Sequence, residues 1–383
     1  MNEMLKDQTF AIHLVAGAWA TAFSSALTCP LDTLKVLVQV GSDPSKKLTT
    51  AQVLYRVKTL SGISGLYSGL GWLAVGRTFG LGARFGIYEL LTSFYKDGRK
   101  NNYLSVSEAL MAGMVSGVAE SLITSPFELT KLRAQVTSAF QIPQTESNMK
   151  INQVSPLIER LLHGYSPNTK VLNNSARLLA ILSNNHPNLV YDMRQYPWMM
   201  TGCGRPPSVY HVRRPSEVIS LEGWGTLWKG MRSGIVRDSI FSGIFFSIWQ
   251  LLHEAMLTWK AVGMTPIPRY DEDVGPLSPF SVSLAAGFSG SLAAAASHSF
   301  DTAKSRSQCI VVPKYLSKER KFLKWELPGK RFERWTGIHP SDRSLLYRGI
   351  SLRMARSGFA SFLLVGSYFL AVDQLSLLSE GVL

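Results

Sequence analysis

Apolar residues gather in six stretches, 14–28, 70–95, 109–124, 234–257, 282–297 and 350–372, separated by polar segments. Each is close to the ~20 residues a helix needs to cross a bilayer. The stretches come in pairs, and every pair carries the same punctuation. The first member closes on an acid, a base and a glutamine at fixed offsets: Asp32, Lys35 and Gln39; Glu128, Lys131 and Gln135; Asp301, Lys304 and Gln308. Pro30 and Pro126 stand two residues before the acid, with Ser299 in the third copy. The second member opens on aromatic-x-Gly: Tyr67-Ser68-Gly69, Trp228-Lys229-Gly230 and Tyr347-Arg348-Gly349. This period predicts an all-α membrane protein of six transmembrane helices in three repeats, at 1–100, 101–260 and 261–383.

The repeats differ in one respect. The motif acid lies 37 residues before the glycine in the first (Asp32 to Gly69), 48 in the third (Asp301 to Gly349) and 102 in the second (Glu128 to Gly230). An insertion is therefore expected at about 140–216. It is polar and rich in turn residues, with short helical hints at 156–162 and 176–182, and reads as a loop or small appendage. Small-xxx-small pairs predict tight helix contacts at Gly17 with Thr21, Gly113 with Gly117, and Gly287 with Ser291. Arg77, Arg84, Glu120, Arg237, Asp238, Arg353 and Arg356 fall in or beside the spans. At that depth an ionisable side chain faces the bundle interior or a watery cavity, because exposure to lipid costs several kcal/mol.

Composition agrees. Hydrophobic residues make up 46% of the 383 positions, charged residues only 17%, and the formal net charge is +14. A basic nucleic-acid binder would share that charge, but the aromatic and basic segment at 315–335 fits an amphipathic helix on anionic lipid, and the six spans favour lipid. Cys29, Cys203 and Cys309 follow no metal or redox spacing and are expected as free thiols. The seven histidines show no ligand spacing and no nucleophile motif appears, so neither an enzyme nor a metal site is expected. Residues 1–7 mix charges, and no cleaved targeting segment is expected.

The triplicated acid-x-x-base pattern ending in glutamine resembles the mitochondrial carrier family, over the whole chain outside the insertion. That resemblance implies a pseudo-threefold six-helix barrel in the mitochondrial inner membrane, with a central aqueous site and alternating access. The termini would face the intermembrane space and the long loops the matrix, in keeping with the positive loops. The acids would pair around a ring with Lys35, Lys131 and Lys304, braced by the glutamines, as a matrix-side latch; proline or serine before each acid would kink the odd helices together. On the opposite side the family carries aromatic-acid-x-x-base. Here only Tyr88-Glu89 keeps the acid, and no copy keeps the base. Aromatic-x-Gly resembles the family's cardiolipin sites, where a helix start offers free N–H groups to phosphate; Lys229 and Arg348 would add charge. No other cofactor is implied, and a monomer is expected.

Counting seven residues from each glycine gives the family's substrate contact points at Gly76 (beside Arg77), Arg237 (beside Asp238) and Arg356. Two arginines on a shared cavity suit a carboxylate or phosphate. Asp238 or Glu120 would serve a substrate ammonium, or Glu120 would pair with a neighbouring arginine for the fold alone; Arg353 joins the candidate set, although helix phase could send it, like Arg84, to a helix seam. These positions predict transport of a small anionic or zwitterionic metabolite, an amino acid or derivative ahead of a keto acid. Features of an ADP/ATP exchanger and of a calcium-regulated carrier are missing. The incomplete outer latch and the insertion keep open a second reading, a carrier fold serving as a scaffold or assembly factor.

Overall fold

The computed structural model describes residues 2–41, 48–97, 104–139, 209, 212–264, 274–311 and 340–380, with backbone alone at 2–10, 221, 340–343 and 378–380. Most of the insertion, both of its helical hints, Cys203 and the 315–335 segment lie outside those residues. Nine α-helices are described: α1 (Asn2–Gly41), α2 (Thr50–Ser61), α3 (Leu70–Lys96), α4 (Val106–Thr137), α5 (Pro215–Glu222), α6 (Met231–Val262), α7 (Pro279–Ala296), α8 (His298–Gln308) and α9 (Ile350–Glu380). The described residues contain no strand.

Six long elements close into a ring in the order α1, α3, α4, α6, α7, α9 and back to α1. Among the described residues, five helical segments are long and apolar enough to cross a membrane: Ala11–Gly41, Val106–Thr137, Trp224–Val262, Pro279–Ala296 and Ser344–Leu377. The sixth wall, α3, carries Arg77, Arg84 and Glu89 and is not among them. The odd helices run further than the apolar stretches alone suggest. α1 spans 40 residues and continues through Pro30, and α4 continues through Pro126. The third copy, which lacks the proline, is the one that breaks, at Ser297 between α7 and α8.

Each even helix starts the same way. Gly69, Gly230 and Gly349 hold φ of 82°, 80° and 81°, a left-handed conformation that a side chain resists. A Cβ on Gly69 would also stand 3.0 Å from the Lys131 carbonyl oxygen.

Close helix contact falls where glycine permits it. A Cβ on Gly113 would meet the Ser242 carbonyl oxygen at 2.6 Å, one on Gly117 would overlap the Asp238 carbonyl, and one on Gly287 would meet the Gly358 carbonyl at 3.2 Å. Gly17 is a correction to the sequence expectation: nothing lies within 4 Å of its Cβ direction, so the α1–α3 seam has no glycine contact there. Thr21 instead meets Thr78 hydroxyl to hydroxyl at 3.0 Å. The far edge of the insertion also moves. Val209, Val212 and Val218 pack with Leu129, Leu227 and Val311, so the chain has rejoined the body by Val209 rather than at 216.

Candidate functional site

Asp32, Lys35 and Gln39 stand at i, i+3 and i+7, so one face of α1 presents all three; α4 and α8 repeat the arrangement. The ring closure brings the three faces together, and every acid takes the lysine of the next repeat. Lys131 Nζ lies 2.7 Å from Asp32, Lys35 Nζ lies 2.6 Å from Asp301, and Lys304 pairs with Glu128. Gln135 Nε2 donates to Asp32 Oδ2 (3.1 Å) and Gln39 Nε2 to Asp301 Oδ2 (3.0 Å). Gln308 departs from the bracing expected of it: its Nε2 donates to the Lys229 carbonyl (3.1 Å), leaving Glu128 unbraced by glutamine. Asp32, Lys35, Asp301 and Lys304 are buried, so these pairs are screened little by water.

Above the ring lies a cavity of about 170 Å³. Gly76, Arg77, Arg84, Glu120, Arg237, Asp238, Arg353 and Arg356 all line it, together with Asp32, Glu128 and Asp301. Phe127 passes close to Gly76, its own Cβ 2.8 Å from where a Cβ on the glycine would stand, so any larger residue there would displace that ring. The arginines form a second tier of cations on the ring acids. Arg237 reaches Glu128 (2.8 Å) and Asp301 (3.3 Å), Arg353 approaches Asp301 (3.7 Å) while donating to Ser297 Oγ (2.8 Å), and Arg356 Nε lies 3.2 Å from Asp32 Oδ1. Neither atom of that last contact makes a geometrically aligned hydrogen bond.

The cavity carboxylates are all engaged. Asp238 receives its neighbour Arg237 through two hydrogen bonds of 2.7 and 2.8 Å, and Glu120 receives Arg84 Nε and Nη2 at 2.6 and 2.5 Å. The Arg84 guanidinium also lies 5.1 Å from the Phe241 ring centroid. Neither acid is held free for an ammonium group, as the sequence had suggested. Arg77 is the exception among the lining arginines. It donates through Nη1 to Ser25 Oγ and Thr28 Oγ1, both 3.3 Å, and has no ion pair among the described residues.

At the opposite rim Tyr88 stacks on Phe246, centroids 3.6 Å apart, and Glu89 is exposed with no ion pair among the described residues. Tyr67, Trp228 and Tyr347 are exposed beside the glycine starts, as lipid-facing rings would be. Lys229 turns inward instead, to the Ile310 carbonyl and to Glu222 at 3.8 Å. The Arg348 carbonyl lies 3.2 Å from His298 Nε2.

Sequence reasoning did not single out Glu222. Fully buried Arg133 binds it at 2.5 Å and also donates to the carbonyls of Val212 and Gln308. Arg306, at the same offset in repeat three, donates to the Gln39 carbonyl (2.9 Å). A signal existed: Glu222 and Gly223 precede the aromatic-x-Gly element, and Gly223 repeats the positive φ of Gly62. In repeat one both partners change together. Leu37 replaces the arginine and packs with Val53 and Val57, while Ser61 replaces the acid and donates to the Ser138 carbonyl (2.6 Å).

The helices thus form a ring around a charged cavity that is bounded at one end by cyclic ion pairs. Residues 6–99 and 102–160 match the family model described as mitochondrial carrier protein. The succinate/fumarate mitochondrial transporter of Saccharomyces cerevisiae is 29% identical over 144 residues, 35% of this chain and 44% of that protein. A probable mitochondrial 2-oxoglutarate/malate carrier protein of Dictyostelium discoideum is 29% identical over 126 residues (32% and 39%). Mitochondrial thiamine pyrophosphate carrier 1 of Candida albicans is 32% identical over 131 residues (33% and 44%). These matches make about two fifths of the chain similar to the mitochondrial carrier family, and the chain spans about two fifths of the length of these curated relatives.

Proposed function

We propose that the chain carries a small dicarboxylate across the mitochondrial inner membrane by alternating access. The observation that carries this reading is Arg77, a lining cation with no carboxylate partner among the described residues, in a cavity whose own carboxylates are all engaged. The lining holds seven Lys or Arg (Lys35, Arg77, Arg84, Lys131, Arg237, Arg353, Arg356) against five acids (Asp32, Glu120, Glu128, Asp238, Asp301), a surplus of 7 − 5 = 2 positive charges. Lys304, paired with Glu128 just outside the lining, adds to that surplus, and an anionic substrate offsets it. A zwitterionic amino acid, favoured by the sequence alone, would need an acid that Arg84 or Arg237 already holds. Two of the similar proteins are named for dicarboxylates, which supports the same class.

In this reading the ion-pair ring faces the matrix, and the anion reaches the arginine tier from the intermembrane side. There it competes with Asp32, Glu128 and Asp301 for Arg237, Arg353 and Arg356, loosening the latch as it binds. The same reading seats cardiolipin phosphate at the glycine starts of α3, α6 and α9, on a monomer. The test is uptake of labelled succinate, 2-oxoglutarate and glutamate into proteoliposomes. Saturable uptake of the dicarboxylates ahead of glutamate is expected; preference for glutamate would overturn the substrate class. A second reading, a carrier fold kept as a membrane scaffold, draws on the bare outer rim at Glu89. Absence of uptake for every solute tested would favour it.

A further inference from the structure

The α1 wall facing Arg77 is polar inside a stretch that reads as apolar. Thr21, Ser24, Ser25 and Thr28 are buried there, at i, i+3, i+4 and i+7, one face of the helix. Thr28 gives its hydroxyl hydrogen to the Ser24 carbonyl (2.7 Å), so its oxygen is left to accept. Arg77 Nη1 donates to that oxygen and to Ser25 Oγ. One turn away the Thr21 and Thr78 hydroxyls meet at 3.0 Å where α3 packs on α1, beside the base of the Arg77 side chain. Its Nε and Nη2 make no hydrogen bond among the described residues.

We propose that Ser25 and Thr28 are positioning residues that aim Arg77 at the transported anion while leaving its charge uncancelled, and so set the affinity for dicarboxylates. This rests on the transport reading above and deepens it. A hydroxyl dipole orients a guanidinium through one N–H and leaves the net charge in place. A carboxylate at the same position would make Arg77 one more paired arginine, like Arg84 on Glu120. The remaining N–H groups of the fork suit one carboxylate of the substrate.

The experiment compares wild type with Ser25→Ala/Thr28→Val, Ser25→Thr and Ser25→Asp, using succinate as the probe. Two readouts are taken: uptake kinetics in proteoliposomes, and the succinate concentration giving half-maximal thermal stabilisation of purified protein in detergent. The double variant is expected to raise KM and the stabilisation midpoint about tenfold with kcat nearly kept, the effect of losing both acceptors on a charged donor. Ser25→Thr restores wild-type values. Ser25→Asp raises both constants at least as far as the double variant, although a mere packing role would predict no dependence on charge. An unchanged midpoint in the double variant, or in Ser25→Asp, overturns the proposal. Wild type that binds succinate without carrying it would overturn the transport reading alone, with the variants' midpoints still deciding the role of Ser25 and Thr28. Wild type that does not bind succinate would overturn both.

Discussion

Glu120 meets Arg84 through a single oxygen, Oε2, and both side chains are close to nine-tenths buried (12% and 10% exposed). Buried pairs of this kind owe little of their value to the attraction itself, because desolvation offsets most of it; what is costly is to remove one partner. Glu120→Gln alone should lower stability by about 3–5 kcal/mol, since Arg84 is left charged and unmatched. Replacing both with apolar side chains of similar volume, Arg84→Met with Glu120→Leu, should recover most of that loss. Thermal unfolding in detergent reads both, and a double variant no more stable than the single would sink the pairing argument. Recurrence governs what was legible at this scale. Asp32, Glu128 and Asp301 announce themselves by appearing three times at one offset, whereas a Glu120 pairing with a neighbouring arginine occurs once, as one of two alternatives, and its partner, Arg84, is given by the structure. The pairing of Arg133 with Glu222 was hidden for the opposite reason: the first repeat has lost both members, Leu37 and Ser61 standing in their places.

Between helices, a small residue in the sequence grants permission for contact without saying whether contact is made. Gly117 uses it, with the Asp238 carbonyl against its Cα, and Gly17 does not. Gly117→Ala should therefore push α6 away from α4 and cost about 1–3 kcal/mol, as overpacking does. It should also weaken anion binding, because Arg237 and Asp238 ride on the displaced turn. Gly17→Ala should leave the unfolding midpoint unchanged or raise it, by up to about 1 kcal/mol from helix propensity. Equal effects of the two substitutions on thermal unfolding would contradict the described seams. The even-helix starts were legible because left-handed backbone demands glycine, and the three φ values agree within 2°. The break of the third odd helix was not. Proline stands inside α1 and α4 without interrupting either helix, and nothing local in Ser297-His298-Ser299 announces that this copy, with a full set of backbone N–H groups, would be the interrupted one.

Across the whole molecule the ion-pair ring forms only because the chain closes on itself. The sequence displays three acids and three lysines, and each acid has a lysine three residues on, one helical turn away and on the same face. The structure rejects that local pairing in favour of the neighbouring repeat: Asp32 goes to Lys131, Glu128 to Lys304 and Asp301 to Lys35. Charge swaps distinguish the two. Asp32→Lys should abolish transport by placing two cations together beside Arg356. Adding Lys131→Asp restores one attractive contact and should return part of the uptake, short of wild type because Arg356, 3.2 Å from Asp32, now faces a cation. Adding Lys35→Asp instead should return none, since the cation introduced at position 32 would still meet Lys131 and the new acid at position 35 would face Asp301. Proteoliposome uptake of the two double variants, with equal expression and folding checked by thermal unfolding, measures the difference. Recovery by the Lys35 partner and not by the Lys131 partner would mean that each repeat latches on its own, and a ring running through all three would no longer explain why the pattern is kept in triplicate.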